Sequence, residues 1–579
     1  MSAYYHDSAC CLLRDGILVA AAQEERFSRN KHDASLPKAA FRYCLDQTGL
    51  SIADIDCIAY YEQPKLKLER QVWSGLPSMN AGTAARLWRS ARRPELEIRD
   101  ILGYMGPIQY TTHHEAHAAS SFFYSGFQRA AILTVDGVGE WATTTYGEGG
   151  QSGISIFEEV VFPDSLGLLY STITSYLGFS VNDGEYKVMG LAPYGRPTYV
   201  AKLHHLIEVL DNGQYRLNLE YFDFNNERRM FSDALPLLFG QPPRTRETEI
   251  SAFHQDVARS LQIVLEEALL EKIRYLHRRC ESDNLCMAGG VALNCVANSR
   301  LLREGPFRKL FVQPAAGDAG TSLGAAAVAQ ARLTGQRVPR EALPHVFLGP
   351  SFSAEEIYKL LSSTPLRFQD FRGMEQDLLS AAVDRLAEGK VLGWFNGRME
   401  FGPRALGARS ILADPRRAEM RDRINALVKM RESFRPFAPA VLLEKASQFF
   451  DLDHPSPFML ETCQVRSTIN LPAITHVDGS ARIQTVDAAT NPRFYRLLQT
   501  FDQRTGCPIL LNTSFNMRDE PIVCSPAEAL RCFVRSHLDG LVLGDFLIDR
   551  SEDLNTLESL FRENRVMQRA ISDSVYTLA

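Results

Sequence analysis

The sequence contains no apolar run long enough to cross a bilayer, and it opens without the charged-then-apolar leader that precedes a cleavage site. The expectation is a cytoplasmic protein. Its 11 cysteines are scattered and form no Cys-x-x-Cys pair, so free buried thiols are expected rather than a disulfide framework. Positive charge is not in excess: the formal charge of -6 gives no general attraction to nucleic acid or anionic membrane, although a local basic groove stays open. Two common signatures are also missing. There is no Gly-x-x-x-x-Gly-Lys-Ser/Thr phosphate loop, and no Gly-x-Ser-x-Gly elbow, since Gly150-Gln151-Ser152-Gly153 has the wrong spacing.

What is present has the composition of an ordinary soluble enzyme, 45% hydrophobic, 23% charged and 10% aromatic, and 579 residues exceed what one core usually serves. Two or three domains are expected. The organising stretch is His113-His114-Glu115-Ala116-His117, followed by Val135-Asp136-Gly137. The run 116–123 is helix-permissive, so His113 and His117 share one face, a spacing that suits two imidazoles on one metal ion. Residues 130–135 read as a buried strand with Asp136 at its end, placed to be a third ligand. The other reading is a hydrogen-bonded pair of core histidines. A second strand, 309–312, leads to Gly317-Asp318 before a small-residue helix, so Asp318 stands where Asp136 does and completes a His2Asp2 set. Two such aspartates suggest a duplicated fold with a ligand between its halves.

Around this centre, residues 9–13 and 17–21 flank Asp15-Gly16 as a hairpin, with His6 and Asp7 at its open end as site residues or as turn formers. The charged stretch 23–32, which includes His32, has too many ionisable groups for a core element. It is a solvated loop or a charged lip. Residues 37–50 form an amphipathic helix, 55–61 a strand, and 63–99 either a cover over a cleft or a surface excursion. Tyr146–Gly153 is a glycine-rich turn. In Asn182–Gly195, three glycines and a proline bracket Lys187, as in a backbone wrapped round a ligand; a plain loop corner is the alternative. Residues 251–280 form a long one-sided helix. The strand 285–287 runs into Gly289-Gly290 and a helix start near Asn294, which is a phosphate seat or a site of close packing. Pro339, Pro344 and Pro350 place a domain boundary between about 335 and 352. Beyond it, Arg398, Arg404, Arg409, Lys429, Arg431 and Arg435 cluster after strand-like segments, and Ser514 and Asn516 end another. Arginine forks of this kind suit an anion cleft.

These motifs, taken in order, resemble the O-carbamoyltransferase family of nodulation and antibiotic tailoring enzymes. The match runs from His6-Asp7-Ser8-Ala9 through Glu24–His32, His113–His117, Val135-Asp136-Gly137, Lys187–Gly195, Gly289–Asn294 and Gly317-Asp318. It continues through Gly402–Ser410, Lys429–Pro439 and Leu511–Asn516. The resemblance implies α/β and α+β architecture, with a duplicated actin-like, Kae1-like domain over residues 1–345 and a YrdC-like domain over 352–579. It implies that the second domain forms carbamoyl adenylate from carbamoyl phosphate and ATP with Mg2+, and that the first passes the carbamoyl group to an acceptor hydroxyl. His113, His117, Asp136 and Asp318 would then hold a divalent metal, Fe2+ in the family. Lys187, Gly289, Gly290 and Asn294 would contact the adenylate, while Arg409, Lys429, Arg431, Ser514 and Asn516 would hold ATP. The catalytic groups expected on this basis are His6, His32, His114, Arg404 and Arg435.

The same resemblance implies an apolar strand of about five residues ahead of the His-Asp turn, whereas here Met1 stands almost directly before it. The expected partners are carbamoyl phosphate, ATP and a hydroxylated small molecule or glycan, without membrane or nucleic acid, in a chain that pairs as a homodimer or acts alone. Two alternatives are a tRNA threonylcarbamoyl-type modification enzyme and a non-catalytic actin-like nucleotide-binding protein.

Overall fold

The computed structural model describes residues 1–75, 81–226, 229–246, 248–335, 342–429, 432 and 434–551, with the backbone alone described at 75, 81–87 and 429. The chain forms two compact units. Met1–Glu24 and His32–Leu343 belong to the first, while Glu25–Lys31 joins the chain from Pro344 onward in the second. No described helix is long and apolar enough to cross a membrane.

The first unit opens with the hairpin β1 (Ala9–Arg14) and β2 (Ile17–Gln23), turning at Asp15-Gly16. Ahead of it, Ser2 bridges Ala9 and the amino terminus donates to the Ala59 carbonyl at 2.7 Å. After helix α1 (Lys38–Thr48) come two short parallel strands, β3 (Ile58–Tyr60) and β4 (Ile108–Tyr110), then helix α2 (His113–Phe122). Strands β5 (Ala130–Val135), β6 (Ala142–Gly150) and β7 (Gly153–Val161) follow, with helix α3 (Glu185–Leu191) and the small hairpin β8 (Ile207–Val209) and β9 (Tyr215–Leu217). The unit closes with α4 (Ala252–Arg279), β10 (Asn284–Ala288), α5 (Cys295–Glu304), β11 (Lys309–Val312) and α6 (Asp318–Thr334).

The main sheet has the order β11-β10-β5-β6-β7, parallel across its first three strands. All six residues of β5 are buried, which is why the strand reads as an unbroken apolar run instead of alternating. Two expectations change here. The glycine-rich stretch 146–150 is strand, with the turn at Gln151-Ser152, because the antiparallel partner β7 supplies its hydrogen bonds. Lys187 lies on the short helix α3, not in a wrapping loop.

The second unit contains one eight-stranded sheet. Its strands are β12 (Gln369–Asp370), β13 (Leu392–Phe395), β14 (Arg409–Ala413), β15 (Ala438–Leu442), β18 (Gln484–Val486), β19 (Ile509–Ser514), β20 (Gly540–Leu543) and β21 (Phe546–Asp549). They run in the order β12-β21-β20-β13-β14-β19-β15-β18, and β16 (Thr462–Gln464) pairs with β17 (Ser480–Arg482) apart from them. Helices α7 (Glu375–Ala387), α8 (Pro492–Thr505) and α9 (Pro526–Arg535) bury apolar faces into a single core that includes Trp394, Phe494 and Phe533. The architecture is therefore mixed α/β and α+β, in two large domains.

Segment 25–31 is not a solvated loop throughout, because its first two residues are buried. Glu25 and Arg26 are buried and paired at 2.7 Å, and Arg26 also donates to the Gly402 carbonyl at 2.9 Å. Arg29 donates to the carbonyls of Pro521 and Ile522 and pairs with Glu528 at 3.2 Å.

Candidate metal centre

Three adjacent parallel strands deliver the site from their carboxyl ends, the usual ligand edge of such a sheet. Asp136 follows β5, Gly289-Gly290 follows β10, and the loop after β11 leads to Asp318 at the start of α6. Helix α2 supplies the histidines. Its start is fixed by a capping box in which Thr112 and Glu115 satisfy each other's backbone N–H, and the buried Glu140 carboxylate accepts the His113 N–H at 3.0 Å. Close packing of α2 on α6 depends on Gly324, where a Cβ would run into the Ala116 carbonyl. Gly289, at φ 96°, likewise lets the β10 end pass the Val135 carbonyl.

The result is a buried cluster. His113 Nε2 lies 3.0 Å from His117 Nε2 and 3.0 Å from Asp136 Oδ2; His117 Nε2 is 3.6 Å from Asp136 Oδ2, and both imidazoles are 3.8 Å from Asp318 Oδ1. One ligand atom from each of the four residues lies within 4.8 Å of the others. Donors on one tetrahedral ion with bonds of about 2.1 Å stand roughly 3.4 Å apart, so the cluster fits a divalent cation. The strongest observation is Asp318: its carboxylate is fully buried and neither oxygen makes a hydrogen bond. A carboxylate in that state calls for a cation. Asp136 is aimed from behind, because the Gly290 N–H holds its Oδ1 at 2.7 Å and leaves Oδ2 toward the histidines.

Electrostatics agree with this arrangement. Burial alone would lower His113, but Asp136 and Asp318 outweigh it and raise it to about 9. Burial raises Asp318, while its neighbours His6, His113 and His117 oppose that without cancelling it. His6 follows the same pattern: burial lowers it, yet Asp318, Asp7 and Asp136 bring it up to about 9.

The other expected residues take varied places. His6 and His32 both bond the Asp7 carboxylate, at 2.9 and 2.8 Å. His114 is a buried anchor: its nitrogens lie 2.6 Å from the Thr134 hydroxyl and 2.9 Å from the Ala142 carbonyl, and burial holds it well below the usual imidazole range. The N–H of Gly289 donates to Ala316 and that of Gly290 to Asp136, so these amides build the centre and are already engaged. Asn294 caps α5 and pairs its amide with Gln262 at 3.0 Å. The Lys187 ammonium stands 6.0 Å from the centre of the Phe179 ring.

In the second unit, the Ser514 hydroxyl bonds Asn516 at 2.7 Å at the end of β19. Arg404 is half-buried in the loop 402–408, and Arg435 pairs with Glu432 at 3.7 Å. Arg409 is fully buried against the Phe395 ring and donates to the carbonyls of Pro350, Asn396, Gly397 and Ala408, which makes it a backbone clamp. Arg431 and the Lys429 side chain lie outside the described residues.

Two residues were missed in the sequence. Glu140 fixes the start of α2, and Glu400 gathers the N–H groups of Leu406, Ala408 and Arg409 on one oxygen, which shapes the loop carrying Arg404. Neither position carries a local signal, because each carboxylate gains its role from burial.

A buried strand-end His2Asp2 cluster that fits a divalent cation thus stands in one domain, and an arginine-bearing loop in the second. Comparison with known families matches residues 1–327 to the Carbamoyltransferase N-terminus and residues 383–550 to the Carbamoyltransferase C-terminus. The chain belongs to the carbamoyltransferase family and is a carbamoyltransferase. It is 45% identical to an uncharacterised protein of Synechocystis sp., across 95% of this chain and 96% of that one. It is 42% identical to nodulation protein NolNO of Sinorhizobium fredii, across 94% and 79% of the two chains. With the 3'-hydroxymethylcephem-O-carbamoyltransferase of Amycolatopsis lactamdurans it shares 38% identity, over 50% of this chain and 54% of the other.

Proposed function

We propose that this carbamoyltransferase is ATP-dependent, forming carbamoyl adenylate in the second unit and transferring the carbamoyl group to a hydroxyl of a small-molecule or glycan acceptor at the centre in the first. In this reading the first unit is Kae1-like and the second YrdC-like. The buried, unbonded Asp318 carboxylate beside His113, His117 and Asp136 is the observation that supports it most strongly. The cephem relative, whose name gives an O-carbamoyl transfer to a hydroxymethyl group, supports a hydroxyl acceptor.

His113, His117, Asp136 and Asp318 would hold the ion, Fe2+ by preference. When bound, such an ion polarises a carbonyl oxygen and cancels the carboxylate charges that raise His6. His6 then takes the proton of the acceptor hydroxyl. Gly290 puts no Cβ against Asp136 Oδ1, and in this reading Gly289, Gly290 and the Lys187 cation face the adenylate. In the second unit, Arg404, Arg435, Lys429 and Arg431 neutralise ATP and carbamoyl phosphate, with Ser514 and Asn516 as hydroxyl and amide partners. Arg409 and Glu400 hold the shape of the loop that presents Arg404.

The test uses the full chain with ATP, Mg2+, carbamoyl phosphate and a panel of hydroxylated sugars and polyketides, read by mass spectrometry for one added carbamoyl group. AMP release should require carbamoyl phosphate and be lost in Arg431→Ala. AMP at the wild-type rate in that variant would place ATP elsewhere.

A further inference from the structure

Two non-glycine residues with left-handed backbone, Asp7 (φ 53°) and His32 (φ 56°), lie along one run of bonded side chains that starts at His6, and a third, Asn182 (φ 66°), directly precedes Asp183 at the end of that run. Such a conformation is disfavoured for an ordinary residue and persists only where the surroundings impose it. Asp7 is the junction. Its Oδ2 lies 2.9 Å from His6 Nδ1 and its Oδ1 lies 2.8 Å from His32 Nδ1. His32 Nε2 is 3.5 Å from Asp183 Oδ1, which also accepts the Tyr186 hydroxyl at 3.2 Å. Asp183 rides on a turn tied by the Glu185 carboxylate, which accepts the N–H groups of Asn182 (3.1 Å) and Gly184 (3.2 Å) and the Ser171 hydroxyl (2.7 Å).

An ionised carboxylate only accepts, so an imidazole nitrogen facing it carries the proton. His6 facing Asp7 through Nδ1 therefore keeps its proton there, and in its neutral form has its lone pair on Nε2. We propose that Asp7 is a positioning residue that fixes this tautomer of His6, and that Asp183 and Tyr186 hold Asp7 in place through His32. The proposal rests on the reading of His6 as proton acceptor. In the step it serves, the acceptor O–H bond breaks and its proton goes to His6 Nε2. The oxygen forms a bond to the carbamoyl carbon. The bond from that carbon to the adenylate phosphate oxygen breaks, and AMP leaves with the electron pair. With the proton on Nε2 instead, His6 accepts nothing on that side. The chain Asp7–His32–Asp183 thus does for His6 what an orienting carboxylate does in other base pairs.

The deciding experiment is nitrogen NMR of the Zn2+-loaded full-length chain labelled at histidine, with His6→Gln and His32→Gln spectra for assignment. Wild-type His6 should be the Nδ1–H tautomer. In Asp7→Asn the new amide can donate to Nδ1, so His6 should switch to Nε2–H, and transfer kcat should fall about a hundredfold with acceptor KM little changed. Asp183→Asn, farther from the centre, should shift the His32 resonances and lower kcat by about tenfold, with Asp183→Glu recovering part of the loss. An unchanged His6 tautomer in Asp7→Asn, or His32 resonances untouched by Asp183→Asn, would overturn the proposal. The spectra do not need turnover, so a wild-type chain that transfers no carbamoyl group counts against the functional reading alone.

Discussion

Replacing Asp318 with asparagine should have opposite effects on the ion-free and ion-loaded protein. The carboxylate is fully buried, without a hydrogen bond, and its pKa is raised by burial. The folded state thus binds a proton more readily than the unfolded one, so ion-free stability falls as pH rises from the ordinary carboxylate value through the raised one. At neutral pH the charge is a net cost, and its neutral isostere should leave the ion-free chain as stable as wild type or more so. With a divalent ion at about 100 times its Kd, wild type should gain about 2.7 kcal/mol. For a chain of this size that is a rise in Tm of roughly 2 °C. Loss of one ligand of four should weaken binding by at least about a hundredfold, judging from the cost of losing even an outer partner. At the same ion concentration the gain then falls to about 0.4 kcal/mol, a shift of roughly 0.3 °C. The assay is thermal unfolding of both proteins with and without Fe2+ or Zn2+, under exclusion of oxygen for iron. A full wild-type shift in Asp318→Asn would refute the reasoning, as would clear destabilisation of its ion-free form.

Three further outcomes follow from packing and charge. Gly324→Val should push α2 away from α6, costing about 1–3 kcal/mol by denaturant unfolding and weakening ion binding at the same time. His114→Phe should cost about 1–3 kcal/mol, because it leaves the buried Thr134 hydroxyl and Ala142 carbonyl without the imidazole, yet ion stoichiometry should stay at the wild-type value. Lys272 is buried, donates to the Gly213 carbonyl and the Tyr146 hydroxyl, and is held well below the usual lysine range by burial. Between that lowered value and the ordinary one of about 10.4 the unfolded chain binds more protons, so stability should rise with pH across the window. Lys272→Met should remove that slope in urea unfolding measured at several pH values.

Much of the centre was legible because its signals are local. Two histidines four residues apart on a helix share a face whatever surrounds them, and an aspartate after a buried strand falls at the sheet's carboxyl edge. Gly289 and Gly290 were visible too, but their use was not. A phosphate seat and a close passage of β10 past Val135 need the same residues, and only the tertiary partners Ala316 and Asp136 separate the two. Long-range packing also hid the segment 25–31, whose charges looked too many for a core until Arg26 met Gly402. Arg409 has a structural use that was hidden for a related reason. An arginine past a strand suits an anion, and nothing in the sequence tells that carbonyls from Pro350 to Ala408 already surround it. Glu140 and Glu400 carry no periodicity and no motif of their own, so burial alone reveals them.

The most direct test is an anomalous difference map from crystals of the full chain grown with Fe2+. One peak should lie within roughly 2.3 Å of His113 Nε2, His117 Nε2 and a carboxylate oxygen of both Asp136 and Asp318. No peak there at full iron loading, or a peak held by other residues, would contradict a shared ion at these four side chains.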